Sequence, residues 1–365
     1  MKETTLTLGE LLNHPEVTPF LREDDAEAIA SRMEKRDEAP KDPIYIRILS
    51  GVGAWFASFF LIGFLGMSRI ITDDVGALIS GVLLLAAAVL LAKKCTSTFP
   101  SQLSLAFAFA GNVMVVGGLM QVLLHSHSSG NEILVLLLSH AVVCTTIYIL
   151  YPSVVYRFAA PLACVIIATI WASFEVKDFW VMNILVAGEM LLLGVLLLHT
   201  RRSAFIQPLI RATATMLPAT LFFMNLTQGA LLDWHIWKAI PQNAMLPSTA
   251  MLAGGVIYLL SRLTGGPQQL RQPWLIVAMV ATLLLGLFTT PGVLVAVGLL
   301  IAGYAFGDRA LTALAYLFLP CFLVVFYYAM NVSLAQKSGM IAGSGLILLL
   351  VRLLIQRYAA KEVEA

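Results

Sequence analysis

From Tyr45 onward the sequence is a succession of apolar runs, each close to the 20 or so residues an α-helix needs to cross a hydrocarbon core about 30 Å thick. The runs fall at 46–67, 75–92, 102–124, 132–151, 153–173, 179–199, 204–226, 244–262, 273–289, 291–307, 310–330 and 338–357. Turn residues and short charged stretches separate them. The ninth and tenth are the shortest and meet at Thr290-Pro291-Gly292, a junction that suits a tight hairpin or a partly re-entrant pair. Backbone polar groups in lipid must be satisfied within the segment, so runs of this kind are read as helices. The expected fold is all-α: a polytopic bundle of about 12 spanning helices over residues 45–357.

Composition points the same way. Apolar residues make up 59% of the chain and charged residues only 12%, against about 25% charged in soluble domains. A single soluble core could not hide so much apolar surface, whereas a bilayer has no need to. Residues 1–44 differ, with six basic and eleven acidic side chains. A nucleic-acid reader would need a basic face on a soluble domain, and the soluble segment here is acidic. Ala26, Ile29, Ala30 and Met33 share one helical face within it. Acids at the start of that stretch and bases at its end suit the helix dipole. Residues 1–44 are therefore expected to form a small helical cytosolic segment, with 358–365 as a cytosolic tail. The opening MKETTLTLGELLNHPEV lacks the basic n-region of a signal peptide, so the first apolar run is expected to remain as a spanning helix.

Lysine and arginine in the loops set the orientation. With the N-terminus inside, the inner loops and tail carry Lys93, Lys94, Arg157, Arg201, Arg202, Arg262, Arg271, Arg309, Arg352, Arg357 and Lys361. The outer loops carry only Arg69, Lys177, Lys238 and Lys337. Both termini are thus expected in the cytosol. Trp180, Trp234 and Trp237 fall near outer span ends, where aromatic anchors sit.

Few polar residues interrupt the spans, and each has a functional and a structural reading. Glu189 lies near the middle of the sixth run. An acid there costs on the order of 3 kcal/mol on insertion scales, which marks a functional site unless hydrogen bonding between helices explains it. His140 lies at similar depth in the fourth run and shares one face with Cys144 and Tyr148, at intervals of four residues. Its imidazole titrates near neutrality and suits proton transfer with Glu189, or it packs as a satisfied core residue. Gln207, Arg211 and Thr215 form a polar stripe in the seventh run. Arg211 is eight residues from that run's inner end, about 12 Å at 1.5 Å per residue. It can snorkel back, pair with Glu189 or contact a substrate. Pro161, Pro218 and Pro320 interrupt spans near their middles; such breaks are either kinks or the broken helices of transport sites.

Other signals are weaker. His125, His127 and His235 lie in outer loops and could meet around a metal, though no metal-ligand motif supports it. The four cysteines, Cys95, Cys144, Cys164 and Cys321, suit small buried apolar side chains, with a disulfide or metal cluster as the alternative. Small residues recur at helix-packing spacing, as at Gly303 and Gly307, Gly339 and Gly343, and Ala250 and Gly254. GVLLLAAAVLLA from Gly81 and GVLVAVGLLIAG from Gly292 look alike, either as an internal repeat or by chance in leucine-rich sequence. No zinc-protease motif, nucleophile elbow, P-loop or dinucleotide fingerprint is present. The chain is therefore expected to be neither an enzyme nor the holder of a cofactor.

Toward the C-terminus the sequence reads FYYAMNVSLAQKSGMIAGSGLILLLVRLL. Tyr327, Tyr328, Ser333, Leu334, Lys337, Ser338, Gly345, Leu348 and Arg352 in it resemble the closing signature of an uncharacterised bacterial membrane family, domain of unknown function 4401. Gly51, Gly53 and Trp55 in GVGAW, and the AGN around Gly111, are similar to that family's opening pattern. The resemblance runs from about Tyr45 to Arg357. It implies a multi-spanning inner-membrane protein with no assigned activity. It also implies a candidate partner, a second small membrane protein with a GDYxxLxY motif outside the membrane. Tyr327, Tyr328, Lys337 and Ser338 fall at the outer end of the eleventh and twelfth runs. A lysine opening a helix opposes the dipole, so Lys337 is expected either to pair with an acid or partner, or to snorkel beside interfacial aromatics. Two functional expectations follow: a scaffold or accessory subunit, and a proton-coupled carrier of a small solute or lipid-like molecule.

Overall fold

The computed structural model describes residues 44–67, 74–95, 97–126, 131–198, 205–228, 244–266 and 272–329, with short stretches between 333 and 349. The expected N-terminal segment, the tail and most of the twelfth run lie outside the described residues. Within them the chain is helical throughout. The helices are α1 (Ile44–Met67), α2 (Asp74–Lys94), α3 (Thr98–Ser126), α4 (Glu132–Leu150), α5 (Val154–Trp171), α6 (Phe179–Leu198), α7 (Gln207–Gln228), α8 (Leu246–Leu263), α9 (Pro273–Phe288), α10 (Pro291–Phe306) and α11 (Arg309–Ala329). Each of the first eleven apolar runs coincides with one helix. Among the described residues, eight helices are long and apolar enough to cross a membrane.

Helix ends follow from local chemistry. The Ser153 side chain accepts from the Tyr156 amide at the start of α5, the usual N-cap arrangement. Asp308 does the same for α11, accepting from the Ala310 amide at 2.9 Å. Prolines sit in the first turn of α8, α9 and α10, where a missing N–H costs nothing. Gly307 ends α10 in the left-handed conformation, at φ 64°. Gly307, which spacing alone pairs with Gly303, is therefore a turn residue.

Two groups of helices pack along the chain. In the first, α3 lies against α1, α2, α4 and α5. In the second, α10 lies against α7, α8, α9 and α11, while α6 packs on α7 and α8. Helix α7 also packs on α5 and so joins the groups. Tyr156 and Tyr151 are buried in the first core, and Leu294, Leu221 and Phe322 in the second.

Glycines allow the closest crossings. A Cβ on Gly81 would lie 2.8 Å from the Val115 backbone nitrogen, and one on Gly111 would lie 2.8 Å from the Gly81 carbonyl oxygen. A Cβ on Gly303 would lie 2.8 Å from the Thr312 nitrogen. These contacts seat α2 on α3 and α10 on α11. By contrast, Gly254, Gly339 and Gly343 have open space where a Cβ would go, so among the described residues their spacing creates no close approach.

Helices α9 and α10 have 16 residues each, about 24 Å of helix. Helix α10 is nonetheless central to the second group, with ten of its residues buried. A helix apolar all round is expected to be buried inside a bundle.

Candidate functional site

Glu189 sits at mid-length in α6 and is only 4% exposed. Its Oε1 accepts a hydrogen bond from the Thr220 hydroxyl of α7 at 3.0 Å. Its Oε2 is buried with no hydrogen-bond partner among the described residues. Thr220 follows Pro218 by two residues, so the acid meets α7 beside the proline that interrupts it.

His140 lies elsewhere. Helix α4 packs on α3 and α5, and the His140 Nε2 is 3.0 Å from the Ala160 carbonyl oxygen of α5, the residue before Pro161. His140, Cys144 and Tyr148 are all buried, as their shared face requires. Arg211 is in a third place. It is nine residues from Thr220 on the same helix, about 13.5 Å along the axis. Its guanidinium approaches Asp308 at 3.9 Å. The expected pairing of Glu189 with His140 or Arg211 is therefore not made, because Thr220, the Ala160 carbonyl and Asp308 each lie nearer. Arg211 remains 39% exposed while Asp308 is 9% exposed. An ion pair that open contributes little, typically under about 1 kcal/mol.

The helices hold further polar groups that reading by residue type did not single out. In the first group, the Asn112 amide donates to the Tyr156 hydroxyl. Ser104 donates to the Ala88 carbonyl at 2.8 Å and shares a 2.9 Å hydrogen bond with the Tyr151 hydroxyl. In the second, the Asn183 amide donates to the Ala244 carbonyl at 3.1 Å, while Ser248 donates to the Asn183 carbonyl oxygen. Asn112 stands next to Gly111, so the AGN pattern places a close helix crossing and a buried interhelical hydrogen bond side by side. The sequence signal was there, but neutral polar residues are common in membrane helices and carry no charge to flag them.

Each end of the bundle has its own cluster. At the end carrying Lys93, Lys94 and Arg262, the Tyr148 hydroxyl donates to the Phe205 carbonyl at 2.6 Å. The Arg157 Nε donates to the Tyr148 carbonyl at 3.0 Å. The Arg157 guanidinium also lies 4.5 Å from the Phe205 ring centroid, within cation–π range. At the opposite end, a single π-turn (Ala172–Val176) closes α5 and leads to Lys177, at φ 55°. It presents Glu175 to the first turn of α4, where the carboxylate accepts from the Ile133 and Leu134 amides. Asn131, in N-cap position, makes no side-chain cap of its own, so Glu175 supplies it from another helix, with the charge favoured there.

Within the closing signature, Lys337, Tyr327 and Tyr328 are in contact. The Lys337 ammonium lies 5.2 Å from the centroid of the Tyr327 ring, which makes a T-shaped contact with Tyr328 at 5.4 Å. Lys337 thus finds an aromatic face. Ser338 is exposed and donates to the Ala335 carbonyl at 3.0 Å. His127 and His235 lie outside the described residues, as does the side chain of His125. Among the described residues, no three His, Cys, Asp or Glu side chains gather as metal ligands. The four cysteines are free thiols.

A protein-family model described as "Domain of unknown function (DUF4401)" matches residues 43–358. The chain belongs to this family. The match begins next to the first described helix and takes in both the early glycine pattern and the Tyr327–Ser338 signature. No curated protein and no solved structure matches the chain.

Proposed function

We propose that this DUF4401 chain is a bacterial inner-membrane protein of twelve spans, with both termini in the cytosol, that acts as a scaffold or accessory subunit beside a second membrane protein rather than as an enzyme. The observation behind the reading is the dispersal of its intramembrane polar groups. Glu189, His140 and Arg211 occupy three separate places, and each has a local partner. A route for ions or polar solutes needs such groups in series, facing one another or a water-filled space. Here they tie one helix to the next. The exposed Tyr328, beside Tyr327 and Lys337, offers a contact surface at a span end, where aromatic and cationic side chains suit an interface.

The test is a photo-crosslinking amino acid at position 328, introduced in native membranes. The expected result is one membrane protein crosslinked in near-stoichiometric amount, with the yield falling when Lys337→Glu is added. A chain that stays uncrosslinked and purifies alone would end the scaffold reading.

A second reading has its own observation. The partnerless Oε2 of Glu189 is a buried acidic oxygen of the kind that takes up and releases a proton. On this reading the protein is a proton-coupled carrier of a small solute or lipid-like molecule. Glu189→Gln keeps the acceptor for Thr220 but removes the exchangeable proton. In proteoliposomes it should abolish pH-dependent flux while leaving the fold intact; unchanged flux would count decisively against the carrier.

A further inference from the structure

The second helix group contains an apolar cleft of about 370 Å³. It runs along Met190–Leu198 of α6, Leu252–Leu259 of α8 and Leu294–Ala302 of α10. These stretches are some 10–12 Å long at 1.5 Å per residue. The walls are almost wholly hydrocarbon. Leu191, Val195 and Tyr258 line the cleft and are also among the exposed residues of the bundle, at 63%, 51% and 49%. The cleft therefore opens sideways, on the face that a spanning bundle turns toward lipid.

Glycine keeps it open. Gly194, Gly255 and Gly298 all line it. A Cβ on Gly194 would meet nothing within 4 Å, whereas one on Gly255 would touch the Met190 sulfur at 3.0 Å and one on Gly298 would touch Val256 at 3.2 Å. Gly255 and Gly298 thus permit close packing, while Gly194 leaves room that no neighbour uses. Unused space in a packed interior forfeits dispersion contacts, and a mobile hydrocarbon chain restores them.

One end of the cleft is charged. Arg262 is exposed and follows Tyr258 by four residues, so both share one face of α8. That places a guanidinium one turn beyond the mouth, at the end of the bundle that also carries Lys93 and Lys94. Guanidinium suits phosphate.

We infer that this cleft is a binding site for one phospholipid of the surrounding bilayer, with an acyl chain between α6, α8 and α10 and an anionic headgroup at Arg262. The inference depends on neither functional reading above.

The experiment uses the full-length protein in nanodiscs of mixed phosphatidylglycerol and phosphatidylcholine, with a trace of phosphatidylglycerol carrying a photoreactive diazirine in its acyl chain. After irradiation, labelling should concentrate on peptides covering 190–198 and 252–259, several-fold above that on the exposed face of α4 around Val142 and Ile149. Native mass spectrometry should show one retained phosphatidylglycerol. Gly194→Phe, which fills the open space, should lose both the retained lipid and the focused label. Gly188→Phe, at a glycine outside the cleft that also has open space around it, should keep both. Arg262→Gln should keep the label but lose the preference for phosphatidylglycerol over phosphatidylcholine. Labelling spread evenly over α4, α6 and α8 in the wild-type protein would overturn the proposal, and so would equal retention by the Gly194→Phe and Gly188→Phe proteins.

Discussion

At the scale of single residues, the polar side chains inside the helices connect neighbours. Tyr156 shows this most clearly, being fully buried and accepting from Asn112 across to α3. Interhelical hydrogen bonds in lipid contribute about 0.6 kcal/mol on average and up to about 1.7. We predict that Tyr156→Phe lowers the unfolding free energy by roughly 1 kcal/mol, measurable by reversible unfolding in mixed micelles. Glu175 gives a second prediction. Glu175→Ala leaves the Ile133 and Leu134 amides without their carboxylate cap, a loss of about 0.5–2 kcal/mol by analogy with other N-caps. Amide hydrogen exchange should speed up in the first turn of α4 and stay unchanged at its far end; unchanged exchange at Ile133 would contradict the capping role. Charge made Glu189, His140 and Arg211 visible in the sequence, because a charge in lipid is costly whatever surrounds it. Their partners were not visible: Thr220 and the Ala160 carbonyl come from other helices and Asp308 from the junction before α11, and one sequence does not say which of these are neighbours.

At the scale of elements, helix existence among the described residues was legible almost in full. The first eleven runs match eleven helices because hydrocarbon leaves the backbone few alternatives to helical hydrogen bonding. The limits shift by a few residues at the ends. Helix α3 begins at Thr98, ahead of the apolar run that opens at Gln102, and the tail of α5 converts to a π-turn. Packing was less legible. Small-residue spacing pointed to Gly303 correctly but misassigned Gly307, whose positive φ makes it a turn. Two hairpins are seated on a glycine, with Gly81 against Val115 and Gly303 against Thr312. Because the Gly81 and Gly111 contacts are to backbone, a side chain there has nowhere to go. Gly111→Val should separate α2 from α3 and destabilise the fold by several kcal/mol, in the manner of an overpacked core, whereas Gly117→Val, with open space around it, should be tolerated. Comparing the melting temperatures of the two variants in detergent checks this.

At the scale of the whole molecule, the bundle divides its labour by position. The first helix group buries a tyrosine–serine–asparagine network, while the second buries the Glu189–Thr220 and Asn183–Ser248 pairs in its core and carries a lateral apolar cleft. That cleft left no trace in the sequence, because leucine and valine line it as they line the rest of the bundle. The alternation of loop charge did leave a trace, and the central claim of the proposal rests on it: an even-numbered, oriented bundle with both ends in the cytosol. The most direct measurement is a dual reporter fused after Ala365, with alkaline phosphatase active only outside the inner membrane and green fluorescent protein fluorescent only inside the cell. The account predicts fluorescence without phosphatase activity. Strong phosphatase activity without fluorescence would place the C-terminus outside and contradict it.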